Sequence, residues 1–350
     1  MKKLLLILLL LAVGVLVLAT LAVRYVEQFG ERPIAATATV NFEIASGSSF
    51  RRVVDRLAEA GVLDEPLLFR LYVRNRQAAG RIQAGEYRFE PGISHQQLLQ
   101  ALVSGKVLQH QVTLVEGQRL RDFLSQLQQH EAVTFDLPDS SLAAVAKVLA
   151  LPDPNPEGWI YPDTYHFPRA TTASALLRAA YARMRQVLEE EWAQRSAGLP
   201  IETPYEALIL ASIIEKETGA AQERETIAGV FIRRLQKGMR LQTDPTVIYG
   251  MGESFQGGIS RRDLRRETPY NTYQISGLPP TPIASPAREA IHAALHPAAG
   301  KALYFVAKGD GTHYFSSTLR EHNRAVEKYQ RSGRRHDYRS APAASESSGS

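Results

Sequence analysis

The sequence predicts an α+β protein in three parts: a single N-terminal transmembrane helix, a small α+β subdomain, and a larger domain of mixed helix and strand. Residues 4–23 form an uncharged apolar run, a strand–turn–helix pattern recurs three times before residue 130, and long helical patterns followed by a hairpin occupy residues 158–330. The length of 350 residues suits about two folded domains plus appendages. A hydrophobic content of 44% supplies a core and excludes global disorder.

The first element is the apolar run. Twenty residues, Leu4 to Val23, match a hydrocarbon core of about 30 Å at a helical rise of about 1.5 Å per residue. Met1, Lys2 and Lys3 precede it, so the excess of positive charge holds residues 1–3 in the cytoplasm and exports the rest. The small residues of Ala19-Thr20-Leu21-Ala22 offer the competing reading of a cleaved signal, but an apolar signal region is normally shorter. The expectation is an uncleaved single-pass anchor in the cytoplasmic membrane, with a periplasmic or otherwise extracytoplasmic domain and residues 24–40 as a linker.

Residues 41–130 carry the repetition. Phe42-Glu43-Ile44 leads to Gly47, then Phe50, Val53, Val54 and Leu57; Tyr87-Arg88-Phe89 leads to Gly92, then Leu98, Leu99 and Leu102. Val112-Thr113-Leu114 leads to Gly117, then Leu120, Phe123, Leu124 and Leu127. Each copy reads as an alternating strand, a glycine turn and an amphipathic helix. Residues 131–157, ending in Leu151-Pro152-Asp153-Pro154-Asn155-Pro156, read as a connecting segment with one short helix.

In the larger domain, residues 158–330, helices are expected over 172–197, 204–218, 222–237 and near 286–296. Ala302–Ala307 and His313–Phe315 form an expected hairpin around Gly309-Asp310-Gly311. The tail, 331–350, is basic and then Ala/Ser-rich, and is expected to be disordered.

Most chemistries lack a motif. The absence of cysteine removes disulfide scaffolds, thiolate metal sites and thiol nucleophiles. No G-x-S-x-G, S-x-x-K, phosphate loop or dinucleotide fingerprint is present, and no cofactor is implied. The net charge of +5 does not point to nucleic acid: Lys2 and Lys3 carry +2 and residues 319–340 carry +4, leaving the body at −1. His292 and His296 have a metal-ligand spacing, but the glutamate of H-E-x-x-H is missing and Pro297 ends the helix, so the pair reads as a helix end and no metal is assigned.

One acidic pair stands out, Glu215-Lys216-Glu217. At about 100° per residue, Leu210, Ile213 and Ile214 fall within roughly 60° of Glu217, while Glu215 points nearly the opposite way. A carboxyl on that apolar stripe has its charged form disfavoured and is raised towards the range of a general acid. The competing reading leaves Glu217 solvated or paired with an arginine such as Arg224. Downstream, residues 241–250, 268–273 and 277–283 place Gln, Asp, Asn and Tyr on proline-stiffened loops. Such loops suit a groove for a hydroxyl-rich polymer, or an irregular structural region.

These segments resemble the MltG (YceG-like) family of membrane-anchored endolytic murein transglycosylases. The resemblance rests on the basic start and anchor, Val115-Glu116-Gly117, Glu157-Gly158-Trp159-Ile160-Tyr161-Pro162-Asp163-Thr164-Tyr165, Ala211 to Thr218, Arg240 to Gly250, Tyr270 to Tyr273, Gly277 to Ile283, His313-Tyr314-Phe315 and His322-Asn323. Ser285-Pro286-Ala287 departs from the Asn-Pro-Gly type of turn expected there. The resemblance implies a LysM-like character for the repeats and cleavage of the β-1,4 bond from N-acetylmuramic acid to N-acetylglucosamine in nascent peptidoglycan, leaving a 1,6-anhydromuramoyl end. It also implies penicillin-binding synthases as partners and Glu217 as the catalytic acid. Gln242, Asp244, Tyr249, Asn271 and Tyr273 are the expected glycan-binding residues. A hydrolytic muramidase would need a second carboxylate, for which Asp244 and Glu215 are candidates; a binding-only wall protein is the remaining alternative.

Overall fold

The structure, a computed structural model, describes residues 2–152 and 154–332 and divides into two compact units. The first comprises residues up to His110 together with His166–Ala170, and the second comprises Gln111–Tyr165 and the chain from Thr171 onward. The predicted tail lies almost entirely outside the described residues, which end with a helical turn over Glu327–Arg331.

In the first unit a single helix runs from Lys2 to Glu31. Every residue from 5 to 25 is exposed, and an 18-residue window of this helix has a mean hydropathy of 3.1. The helix is long and apolar enough to cross a membrane, and it fits a single-pass anchor. The expected linker at 24–40 is corrected: the helix continues without a break, and Phe29, Ile34 and Ala36 are buried in the core. Phe29 stacks on His95 at a ring separation of 4.0 Å. Gly30 is there because a Cβ would lie 2.6 Å from the Tyr72 ring.

Strands Val40–Ile44 and Gly85–Phe89 pair antiparallel, Phe42 opposite Tyr87, and helices Phe50–Glu59 and His95–Ser104 follow them. Ser49 and Ser94 cap these helices by accepting from backbone N–H groups three residues on. The repeat reading thus locates strand and helix in both copies. A further helix, Pro66–Asn75, was not expected; Phe69, Tyr72 and Val73 are buried from it. The third copy also forms, as Gln109–Thr113 and Leu120–Gln129, but its helix belongs to the second unit.

The second unit is dominated by helices, with strand confined to short ribbons. Its centre is Pro204–Glu217, started by Thr203 and Glu206 in a capping box and flanked by Ala173–Ala193, Arg224–Gln236 and Arg288–Leu295. Met184, Val187, Ile213, Ile214, Phe231, Ile291 and Leu295 meet in one core; full burial of each such side chain contributes about 1.5–3 kcal/mol. Residues 131–157 are more than a connector. Val133–Thr134 pairs in parallel with Thr171–Thr172, Leu142–Val148 is helical with Val145 fully buried, and Asp136 accepts from the backbone and hydroxyl of Ser174. The expected hairpin forms from Tyr304–Ala307 and His313–Ser316, with Gly309 and Gly311 supplying positive φ at the bend.

Candidate active site

The helix Pro204–Glu217 is buried on every side: all eight residues from Ala207 to Ile214 are covered. A two-faced wheel therefore does not separate its acids, because burial pushes both the Glu215 and the Glu217 carboxyls up. Their partners separate them. Glu215, with a side chain only 3% exposed, faces Arg224 at 3.5 Å and accepts from the backbone N–H of Ala287 at 2.8 Å. It holds the start of helix Arg288–Leu295, and it takes the arginine that the bland reading gave to Glu217. The unusual Ser285-Pro286-Ala287 turn is thereby fastened: Ser285 exchanges backbone hydrogen bonds with Gly117 and Gln118, both at 2.9 Å, while Glu215 takes Ala287.

Glu217 closes the helix, with Thr218 already extended at φ −144°. The residue as a whole is half-buried, but its carboxyl sits in a dense shell of protein atoms, and that desolvation pushes it up to about 7. The Thr243 hydroxyl donates to Oε1 and opposes the shift, the nearby Asp244 carboxylate adds to it, and Arg234 opposes it from a distance. No cation bridges Glu217 among the described residues. A carboxyl with these surroundings can give up a proton near neutrality and take one back.

Thr243 reaches the acid because its strand-like segment is locked from behind. Its N–H donates to Thr272 Oγ1 at 3.0 Å, and the hydroxyls of Thr246 and Thr272 are 2.9 Å apart. Gln242 lies in the left-handed region at φ 54°, which costs a non-glycine residue on the order of 1 kcal/mol. Its N–H donates to Thr272 O at 3.1 Å, and Oε1 accepts from Arg234 at 3.3 Å. Arg234 itself is almost covered, donating to the carbonyls of Leu303, Arg240 and Leu241 at 2.7–3.0 Å.

The five expected binding residues divide. Gln242 and Asp244 are exposed, and Tyr273 donates from its hydroxyl to Asp244 Oδ1 at 2.7 Å. The charges of Asp244 and Glu217 act on one another, that of Glu217 also reaches Tyr273, and Gln242 directly precedes Thr243. Asn271 is different. It is 1% exposed, donates to the carbonyls of Asp263, Leu264 and Arg266, and accepts from the Tyr273 N–H. Its amide forms the turn and has no edge left for a sugar. Tyr249 stands in a separate cluster, its ring 4.8 Å from that of Tyr270 and its hydroxyl 3.3 Å from Glu157 Oε2.

Glu157 was not singled out in the sequence as an acid. It is 2% exposed, accepts from the Leu120 N–H at 2.8 Å, and is pushed up to about 7 by burial, against the pull of that hydrogen bond, the Tyr249 hydroxyl and Arg119. Gly158 beside it has φ +81° and would place a Cβ 2.4 Å from Pro282, so only glycine fits. Trp159 then stacks on Tyr205 at 5.7 Å, joining this segment to the first turn of the acid-bearing helix. The signals in sequence were a charged residue trapped among prolines, and a threonine shortly after an arginine–leucine pair.

Comparison with known proteins gives the chain's relatives. An endolytic murein transglycosylase of Bacillus subtilis (strain 168) is 33% identical over 309 residues, covering 83% of this chain and 85% of its own length. A Streptococcus pneumoniae (strain D39) protein of the same name is 29% identical over 82% of this chain, which spans only 58% of that longer protein. The crystal structure of a YceG-like protein from Listeria monocytogenes is similar at 28% identity and a TM-score of 0.49, covering 83% of this chain and 99% of that one. Residues 42–328, which hold most of the first unit's core, the second unit's core and the Glu217 site, match the model of the YceG-like family, and the chain belongs to that family.

Proposed function

We propose that this chain is an endolytic murein transglycosylase, a membrane-anchored lyase whose general acid and base is Glu217. The carrying observation is the Glu217 carboxyl, desolvated to about 7, bonded by the Thr243 hydroxyl and not bridged by a cation among the described residues. The names of the similar proteins supply the substrate, peptidoglycan.

The chemistry needs one such group. Protonated Glu217 donates to the glycosidic oxygen as an oxocarbenium-like centre develops at C1 of the muramic sugar. The carboxylate left behind takes the proton of the muramic C6 hydroxyl, and that oxygen closes on C1. The bond from C1 to the leaving oxygen breaks, the bond from C1 to O6 forms, and the proton count is restored without added water. Because the nucleophile belongs to the substrate, its effective concentration is high. Gln242, Asp244 and Tyr273 are the glycan-holding residues of this reading, and Asn271 serves the turn beneath them. The unbroken helix Lys2–Glu31 supports an uncleaved anchor, and the basic start supports a cytoplasmic N-terminus. Tethered this way, the catalytic part meets strands near the membrane, where penicillin-binding synthases make them.

Asp244 keeps a second reading in play, since a carboxylate close enough to raise Glu217 could position water for hydrolysis. The residue assignment is tested by solubilisation of purified peptidoglycan. Glu217→Gln should abolish release while circular dichroism stays native, and Glu215→Gln should retain most activity. Equal activity in the two variants would move the acid elsewhere.

A further inference from the structure

We propose that Glu191, His292 and His296 form a binding site for one divalent transition-metal ion of the zinc class. Glu191 comes from helix Ala173–Ala193; His292 lies on helix Arg288–Leu295, and His296 is its C-terminal cap. One ligand atom from each falls within 4.8 Å of the other two. His292 and His296, one turn apart, have nearly parallel rings with centroids 4.1 Å apart. The sequence lacked a local acid for this pair; the fold brings one from 101 residues away, with Glu191 Oε2 2.8 Å from His292 Nδ1.

The surroundings restrain these groups, and a small separation of Glu191 Oε2 from His292 Nδ1 would admit an ion. Arg288 Nε lies 2.9 Å from Glu191 Oε1, which leaves Oε2 facing the histidines. His296 Nε2 stands 2.8 Å from the Gln194 carbonyl, the kind of outer hydrogen bond that fixes the tautomer of a metal-bound imidazole. Its other ring nitrogen, Nδ1, lies 3.1 Å from the His292 carbonyl oxygen and is the atom that an ion would take. At His292 the ion takes the place of the proton between Nδ1 and Oε2.

Two imidazoles and a carboxylate, without thiolate, suit zinc and its neighbours in the first transition row better than calcium or magnesium. Three protein ligands leave a fourth position for water. His292 is exposed, so the ion exchanges with solvent. Binding clamps the end of helix Arg288–Leu295, whose start is held by Glu215, onto helix Ala173–Ala193.

The test uses the tag-free full chain in detergent, stripped with chelator and titrated with zinc chloride by calorimetry. One ion per chain is expected, together with a rise in the thermal unfolding midpoint. His292→Ala and Glu191→Gln should each weaken binding at least about tenfold and remove that rise. X-ray absorption of the wild type, which does not depend on how the variants fold, should show two imidazoles in the metal's first shell. No binding at one per chain, binding undiminished in both His292→Ala and His296→Ala, or a shell without paired imidazoles would overturn the site.

Discussion

Glu215 and Glu217 differ by two positions and by everything around their carboxyls. Burial raises both, yet one is tied to Arg224 and the Ala287 N–H, while the other meets a threonine hydroxyl. A general acid raised to about 7 makes kcat/KM fall as pH climbs through that value. Because the Thr243 hydrogen bond favours the carboxylate, Thr243→Val should move this alkaline limb to higher pH; a limb that stays put would contradict the pairing. Glu215→Ala, which loses both partners, should lower stability by about 1–3 kcal/mol in denaturant unfolding, with the pH limb unchanged. The desolvation of the Glu217 carboxyl was legible in the sequence because it closes a long apolar helix, and its role is what we propose. Thr243 and Glu157 were not, since their partners, Glu217 and Tyr249, lie 26 and 92 positions away. Asn271 misled for a related reason: an amide beside two tyrosines looks like a sugar ligand until its bonds to Asp263, Leu264 and Arg266 are seen.

At the scale of elements, periodicity located four helices of the second unit to within a few residues and the closing hairpin almost to its ends. It missed helix Leu319–Val326 and read as loop the segment that forms helix Asp244–Met251, whose eight residues open with Asp244-Pro245 and carry no clean apolar stripe. Helix Pro66–Asn75 escaped because Leu67 and Leu71 are exposed while Phe69, Tyr72 and Val73 are buried, so its apolar residues surround the axis and give no clean stripe. The same blindness made 24–40 look like a linker, since a buried Phe29 cannot be told from an exposed one without its partner His95. The segment holding Glu157 turns on Gly158, where positive φ and the contact with Pro282 act together. Gly158→Ala should therefore cost at least about 1–3 kcal/mol and release the Trp159–Tyr205 stack, seen as a change in near-ultraviolet circular dichroism. A native spectrum and unchanged stability would show that the turn tolerates a side chain.

Across the whole molecule, buried acids couple folding to pH, and Glu157 and Glu217 show it most clearly. Glu157 and Glu217 both stand near 7 when folded, against an ordinary value near 4.3 in the unfolded chain. The native state then binds more protons between those values, so their contribution to stability is greatest at low pH and declines as pH rises from about 4.5 to about 7. Glu86, held low chiefly by its hydrogen bond from His110, works in the other direction and loses its contribution as pH falls. Glu157→Gln keeps the acceptor for Leu120 but removes the titration. It should gain on wild type by about 2–4 kcal/mol on going from about pH 5 to about pH 8. A difference that does not change with pH would mean that Glu157 ionises normally. Family membership, by contrast, was readable from short motifs spread along nearly the whole chain, because it depends on order and spacing and not on which side chains touch.

The most direct measurement is the mass of the fragments released from purified peptidoglycan by the detergent-solubilised full chain. Intramolecular attack by the muramic C6 hydroxyl predicts anhydro ends, one water lighter than reducing ends, appearing with wild type and absent with Glu217→Gln. Reducing ends alone would assign the reaction to water, with Asp244 as its base, and would contradict the single-acid account.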